Sequence, residues 1–256
     1  MPQSFFEWVA FIFKQYFPLF MRGTLNTIII SVSGTVIGFV IGLFVAVART
    51  VNVDKKTPFL KKATVKIAQW ILTAYIQIFR GTPMIVQSMV IYYGAMQYLQ
   101  LAMPPLFAAV LIVSINTGAY MAEIIRGGII SVDKGQIEGA QSLGMTHWQT
   151  MAHVVLPQAI RNIMPSLGNE FVVNIKDSSV LNVISVNELF FASKSAAGTY
   201  YRYFEAFFIT AVIYFILTFV ITKLLRIIEK KMDGSATYEI NNMQPKIPSN
   251  PKTGGA

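Results

Sequence analysis

The sequence contains no cysteine, which excludes disulfides, thiolate metal sites and cysteine nucleophiles. Histidine is nearly absent: His147 and His153 are the only two. They stand six positions apart, not at the i, i+4 spacing of a helical metal pair. Charge is scarce as well. Only 13% of the 256 residues are Asp, Glu, Lys or Arg, whereas 54% are hydrophobic. Soluble domains carry about 25% charged residues, so this chain lacks the means to cover a water-facing surface, and the deficit points to lipid. Acids are rarer than bases, 12 against 21, for a net charge of +9. That excess alone would suit a nucleic-acid binder, so the positions of the charges must decide.

What is present is a set of long uncharged runs. No charged residue occurs from Gly23 to Ala48 or from Gly81 to Ala122. A crossing of the hydrocarbon layer takes about 20 residues. The first run therefore holds one crossing, and the second, divided by "MPP" at 103–105, holds two. A more polar fourth candidate runs from Pro157 to about Ile184, and a fifth covers "AFFITAVIYFILTFVIT" (206–222). The expected fold class is an all-α membrane protein of five transmembrane helices. Residues 1–22 read as an interfacial segment, because Phe5, Phe6, Trp8, Phe11, Tyr16 and Phe17 suit the headgroup level. Glu7 precedes the first cation, Lys14, which argues against a signal peptide. Residues 62–83 read as a helix leading into the second span and broken near Gly81 and Pro83; a cytosolic extension and an interfacial helix both fit. Beyond the transmembrane domain, 23–231, the polar tail 232–256 has no helical face and reads as disordered.

Five crossings put the termini on opposite sides. Segment 49–66 carries Arg49, Lys55, Lys56, Lys61, Lys62 and Lys66 against Asp54, and Lys223, Arg226, Lys230 and Lys231 follow the fifth span. Both clusters fall on one side, which the positive-inside rule makes cytoplasmic. The N-terminus is then outside and the C-terminus inside. Topology accounts for the positive charge, and nucleic acid loses its support as a partner.

The loop between spans three and four, about 131–156, is of a different kind. Asp133 and Gln136 have the spacing of a capping box, and Gly144 sits where a left-handed helix stop belongs. Thr146 and Gln149 repeat the box, and Pro157 fits the first position of a third helix. Gly139 and Ala140 give the first short helix a small-residue patch. One reading is a well-capped connection. A DNA-binding helix-turn-helix is another, but between Val132 and Leu156 the only cation is Lys134, beside Asp133 and Glu138.

Charged groups inside spans are rare and by default mark a pathway. Asn116, Tyr120 and Glu123 lie at i, i+4, i+7 on one face of span three. Ser166, Glu170, Asn174 and Asp177 do the same on span four, with Glu123 and Asp177 expected near span ends. Such stripes either line a translocation path or tie helices together by hydrogen bonds. Arg80, Arg126 and Lys176 read as anchors at the interface or as partners of these acids. Ser33, Gly34, Gly38 and Gly42 form a ridge suited to close helix packing. No nucleophile, base and orienter surround the acids, so an enzyme is not expected. No G-x-x-x-x-G-K-[ST] loop occurs either, so the chain has no nucleotide site of its own.

The pattern Glu138, Ala140, Gly144, Val154, Leu156 and Pro157 resembles the cytoplasmic loop signature of permease subunits of bacterial ATP-binding-cassette importers. Most members have Ala where this chain has Gly139, and Ile where it has Val154. The stretches "FRGTPMIVQ" (79–87), "GAYMAEIIRGGI" (118–129) and "NEFVVNIKDSSV" (169–180) are similar to the polar amino-acid uptake branch. The resemblance covers roughly 23–231. It implies the type I importer permease fold in the bacterial cytoplasmic membrane, with the 131–156 loop docking on a separate ATPase dimer. A second permease chain, identical or a sister, and an extracytoplasmic amino-acid-binding protein complete the implied assembly. This chain would bind no cofactor; ATP would be used by the partner. The alternative is a secondary carrier driven by an ion gradient, against which stand five spans without an internal repeat.

Overall fold

The computed structural model describes residues 2–50 and 58–233. The regular structure of these residues is helical, and a single 46-residue helix, α1 (Phe5–Thr50), forms its spine. At 1.5 Å per residue α1 is roughly 69 Å long. The interfacial segment expected over 1–22 and the span expected from Gly23 are thus one uninterrupted helix. Trp8, Ile12 and Phe20 are buried against Leu189, Ala192 and Ala196. Pro18 falls on the exposed side. The bond lost there weakens the helix locally, and burial of three large side chains offsets it.

The core of the bundle is the packing of α1 on α4 (Pro105–Ile130). Gly34, Gly38 and Gly42 meet Val113, Thr117 and Met121 in register. A Cβ on Gly38 would lie 2.7 Å from the Thr117 Cβ, and one on Gly42 would lie 2.4 Å from the Met121 Cβ. No side chain larger than hydrogen fits at either place, so the glycine ridge belongs to the fold.

Among the described residues, three helices are each long and apolar enough to cross a membrane: Phe5–Thr50, Pro105–Ile130 and Tyr203–Met232. The second expected span is a separate helix of 15 residues, and the fourth gives way to a 3-10 turn at Ser178. α2 (Phe59–Gly81) stops at Thr82–Pro83, and α3 (Met84–Tyr98) follows. The break falls where sequence placed it, because Pro83 cannot continue the hydrogen-bond ladder. α2 starts at Phe59, so Lys61, Lys62 and Lys66 stand on its first turns; residues 51–57 of the basic segment lie outside the described residues.

Two short helices, α5 (Lys134–Ser142) and α6 (His147–Thr150), connect α4 to α7 (Leu156–Asp177). Asn174, three residues before the end of α7, bonds to Thr35 on α1 and Thr117 on α4. Thr35 and Thr117 lie well inside the uncharged runs of their helices. Asp177 therefore ends its helix about one turn beyond the level of Thr35 and Thr117. A 3-10 turn (Ser178–Ile184) carries the chain onward. α8 (Leu189–Tyr200), for which the sequence offered no assignment, then packs on the first half of α1, and α9 (Tyr203–Asp233) closes the bundle. The tail expected to be disordered lies, from 234 onward, outside the described residues.

Candidate functional site

The 131–156 loop owes its shape to consecutive caps. Asp133 caps α5, its Oδ1 accepting from the Gly135 amide at 2.6 Å, while the Gln136 amide turns to the Asp133 carbonyl. α5 ends in a Schellman motif: the Met145 amide reaches the Ala140 carbonyl, and the Gly144 amide reaches that of Gln141. Gly144 has φ +78°, the left-handed geometry that glycine adopts without steric cost. The second box is reciprocal, with Thr146 Oγ1 accepting from Gln149 N at 3.3 Å and Gln149 Oε1 from Thr146 N at 2.8 Å.

Pro157 stands in the first turn of α7, as its position in the sequence suggested, but no loop precedes that helix. The chain is already helical at α6 and passes through a π turn, Met151–Val155, into α7. There the Leu156 amide bonds five residues back, to Met151. The wider turn makes room for a proline ring that would otherwise strike the carbonyl four residues before it. The Gln158 side chain donates to the Val154 carbonyl beside the disturbed ladder. Val132, Val155 and Ala159, with Ile137 and Met151 against them, seat the loop on α7.

Outside that seat the loop is bare. Leu143 is 85% exposed and Trp148 82%. Glu138 is exposed with no partner for its carboxylate among the described residues, and nothing lies within 4 Å of a Cβ built on Gly139 or Gly144. Ala140 differs from its neighbour Gly139: it is buried, and it faces the chain itself. Leu156 and Pro157 are exposed at the start of α7. Leu143, Gly144, Met145, Gln149 and His153 border a cavity of about 440 Å³ at this tip.

The polar groups within the bundle divide into satisfied and unsatisfied sets. Asn116 donates to Gln87 Oε1 at 2.8 Å. Gln87 in turn bonds the Phe79 carbonyl and both oxygens of Thr82, bracing the α2–α3 break. Asn174 accepts from Thr117 at 3.1 Å and donates to Thr35 at 2.8 Å, tying α7 to α4 and α1. Glu123 takes Arg49 at 2.5 Å and Arg126 at 2.7 Å, a clamp between α1 and α4. Tyr120 lies under the Arg80 guanidinium, 5.4 Å from ring centroid to Cζ.

Glu170 differs from these groups. It is 9% exposed, yet its carboxylate has no hydrogen bond or ion pair among the described residues. Asp177 and Ser166 are exposed on the same helix.

Three anchoring residues escaped sequence reasoning: Arg49, Gln87 and Glu188. Gln87 was visible as a polar residue within an uncharged run. Glu188 was visible as an acid just before an apolar helical run, an N-terminal signal. It is fully buried and accepts from the Phe190 and Phe191 amides and the Tyr214 hydroxyl, so it fixes where α8 begins.

Comparison with known proteins agrees with this geometry. Residues 62–234 fit the family described as the binding-protein-dependent transport system inner membrane component. The glutamine transport system permease protein GlnP of Escherichia coli is 37% identical over 228 residues, 89% of this chain and 98% of that protein. The arginine transport system permease protein ArtQ of Bacillus subtilis is 33% identical over 218 residues, 85% of this chain and 94% of that one. The crystal structure of an amino acid ABC transporter with histidines superposes with a TM-score of 0.78 at 38% identity, covering 90% of this chain and 100% of that one. The inward-facing MetNI methionine ABC transporter, at 20% identity and a TM-score of 0.66, shares the fold. A multi-pass helical bundle that aligns with nearly the whole length of such relatives belongs to the family of inner membrane components of binding-protein-dependent transport systems.

Proposed function

We propose that this chain is the membrane subunit of an ATP-driven importer of polar amino acids in the bacterial cytoplasmic membrane. Its N-terminus lies outside and its C-terminus in the cytoplasm. The relatives named for glutamine and for arginine transport support the substrate class. ATP is hydrolysed on a separate ATPase dimer, a second permease chain completes the pore, and an extracytoplasmic binding protein delivers the substrate.

One observation carries the mechanism: a capped loop with a bare apolar tip is continuous with the helix that holds Glu170 and Asp177. A push on α5 and α6 passes through Val132, Val155 and Ala159 into α7. α7 then moves its acids relative to Arg80 on α2. Glu138, Gly139, Gly144, Leu156 and Pro157 form the docking side, with Ala140 holding α5 to the chain. Ser166, Glu170 and Asp177 face the path, whereas Asn116, Tyr120, Glu123 and Asn174 frame it.

The test is a mild-detergent pull-down of the chain from its native membrane, followed by mass spectrometry. Co-purification of a P-loop ATPase and a solute-binding protein is expected, and the ligand of that protein names the substrate. A chain that emerges alone and transports under an ion gradient without ATP would move the secondary carrier to the front.

A further inference from the structure

The break between α2 and α3 sets the open end of a helix at the start of an uncharged stretch, Gly81–Ala122. Carbonyls at a helix end need donors, and in lipid these must be found within the protein. A backbone stop would supply the amides of the two residues after the cap. Here the first of those is Pro83, which has no N–H, and Thr82 is extended, with φ −125° and ψ 148°. The left-handed stop seen at Gly144 therefore cannot form. The Gln87 side chain replaces it: Nε2 donates to the Phe79 and Thr82 carbonyls, both at 2.9 Å, and to Thr82 Oγ1 at 2.8 Å. Asn116 on α4 donates to Gln87 Oε1 at 2.8 Å and to the Phe79 carbonyl at 3.3 Å. Both amide side chains are buried.

Phe79 and Thr82, the residues so held, stand on either side of Arg80. The Arg80 guanidinium lies over the Tyr120 ring, 5.4 Å from its centroid, and among the described residues no ion pair holds it. A ring contact fixes a long, flexible side chain only weakly. Where the charge stands thus depends on how the last turn of α2 is rotated. Successive residues of a helix differ by about 100°, so unwinding that turn by one residue would carry Arg80 off the face of α4 that bears Asn116, Tyr120 and Glu123. The bonds from Gln87 to residues 79 and 82 oppose that unwinding. Asn116, one turn from Tyr120 on the same stripe, ties the whole knot to α4.

We infer that Gln87 is a positioning residue of the transport cycle: through the last turn of α2 it fixes Arg80 over Tyr120, as the charge against which the acids of α7 move. This rests on the importer function proposed above and adds to it the group that sets the α2 side of that encounter. Gln87 is itself buried and acts only through the backbone on either side of Arg80. An amide is what the place requires. A glutamate of the same shape would turn a second oxygen toward three acceptors, and a methionine keeps the length of the side chain but none of its bonds.

The test is a double-mutant cycle in the assembled importer, reconstituted in proteoliposomes with ATP, with radiolabelled glutamine and arginine as probes. Arg80→Gln is expected to lower substrate moved per ATP hydrolysed by about tenfold, and Gln87→Met by about fivefold. With both substitutions the loss is expected to equal that of Arg80→Gln alone, because a side chain that acts through Arg80 then has nothing to position. A loss near the product of the two, about fiftyfold, makes Gln87 a general structural element and overturns the inference. Wild-type transport in either single variant overturns it as well. Where Gln87→Met yields no assembled importer, Thr82→Val, at an exposed residue, removes one acceptor and carries the same cycle. A loss of about twofold that disappears beside Arg80→Gln is expected; no loss, or one that persists, overturns the inference. Absence of ATP-driven uptake of both amino acids in the wild type sinks the importer function itself, a failure read before any variant is compared.

Discussion

The α1–α4 crossing and the 131–156 loop both depend on glycine, for opposite reasons. At the crossing, Gly34, Gly38 and Gly42 stand where a Cβ would collide with Val113, Thr117 and Met121. In the loop, Gly139 and Gly144 face open space, and Leu143 and Trp148 stand almost wholly exposed beside them. The first surface is completed within the chain. The second is left bare within the chain, and it is the surface the proposed ATPase would cover. Close packing fixes the crossing on folding, because interiors tolerate little empty space and little excess volume. The loop keeps its shape by its caps and by the apolar seat of Val132, Val155 and Ala159, as the proposed lever would require.

The comparison can be broken first at the crossing. Gly38→Leu forces a branched side chain into Thr117 and is expected to cost about 3 kcal/mol, the upper end for an overpacked core. The readout is the thermal melt and size-exclusion profile of the detergent-solubilised complex; a wild-type melt would show that the crossing can open. Gly144→Leu is expected to act differently. A leucine in left-handed geometry costs roughly 1–2 kcal/mol locally, enough to distort the tip while the chain still inserts. ATP-driven uptake should fall by about tenfold, and wild-type uptake in that variant would leave the loop as a mere connection.

Between these surfaces lies the polar layer. Glu170→Gln keeps the shape of a side chain that no hydrogen bond holds, so the folded yield should match wild type. Arginine uptake is expected to drop about fivefold, close to 1 kcal/mol, and glutamine uptake by less. Equal losses for both substrates would recast Glu170 as a general structural element. The smallest effect belongs to Gly139→Ala. An alanine in exposed helix stabilises α5 by up to about 1 kcal/mol, readable as slower amide exchange in that segment. Uptake should shift by less than about twofold, and a larger fall would mean that the partner approaches the α5 backbone more closely than a methyl group allows.

Much of this was legible beforehand, and the legible parts share a cause. The Thr146–Gln149 box, the left-handed stop at Gly144 and the breaks at Gly81–Pro83 and before Pro105 each depend on residues within one turn of one another. Pro157 shows where local rules end. Its ring forbids the ordinary ladder, but packing of Val155 and Ala159 under Val132 favours a π turn over a stop. Glu123 and Glu170 lay on equivalent stripes in the sequence, yet one is clamped by Arg49 and Arg126 while the other is left unbonded.

The sequence by itself determined that the chain is a helical membrane bundle, where its candidate spans lie, and that a capped loop joins the third and fourth of them. Those features follow from solvent preference and from bonds that reach at most a few residues. The tertiary structure decided which polar groups are spent on the fold, through pairs such as Arg49 with Glu123, 74 residues apart, and Thr117 with Asn174, 57 apart. It also decided that α7 ends about one turn beyond the level of Thr35 and Thr117. Such pairings depend on how helices cross, and the crossing is set by a glycine ridge on one helix meeting the side chains of another.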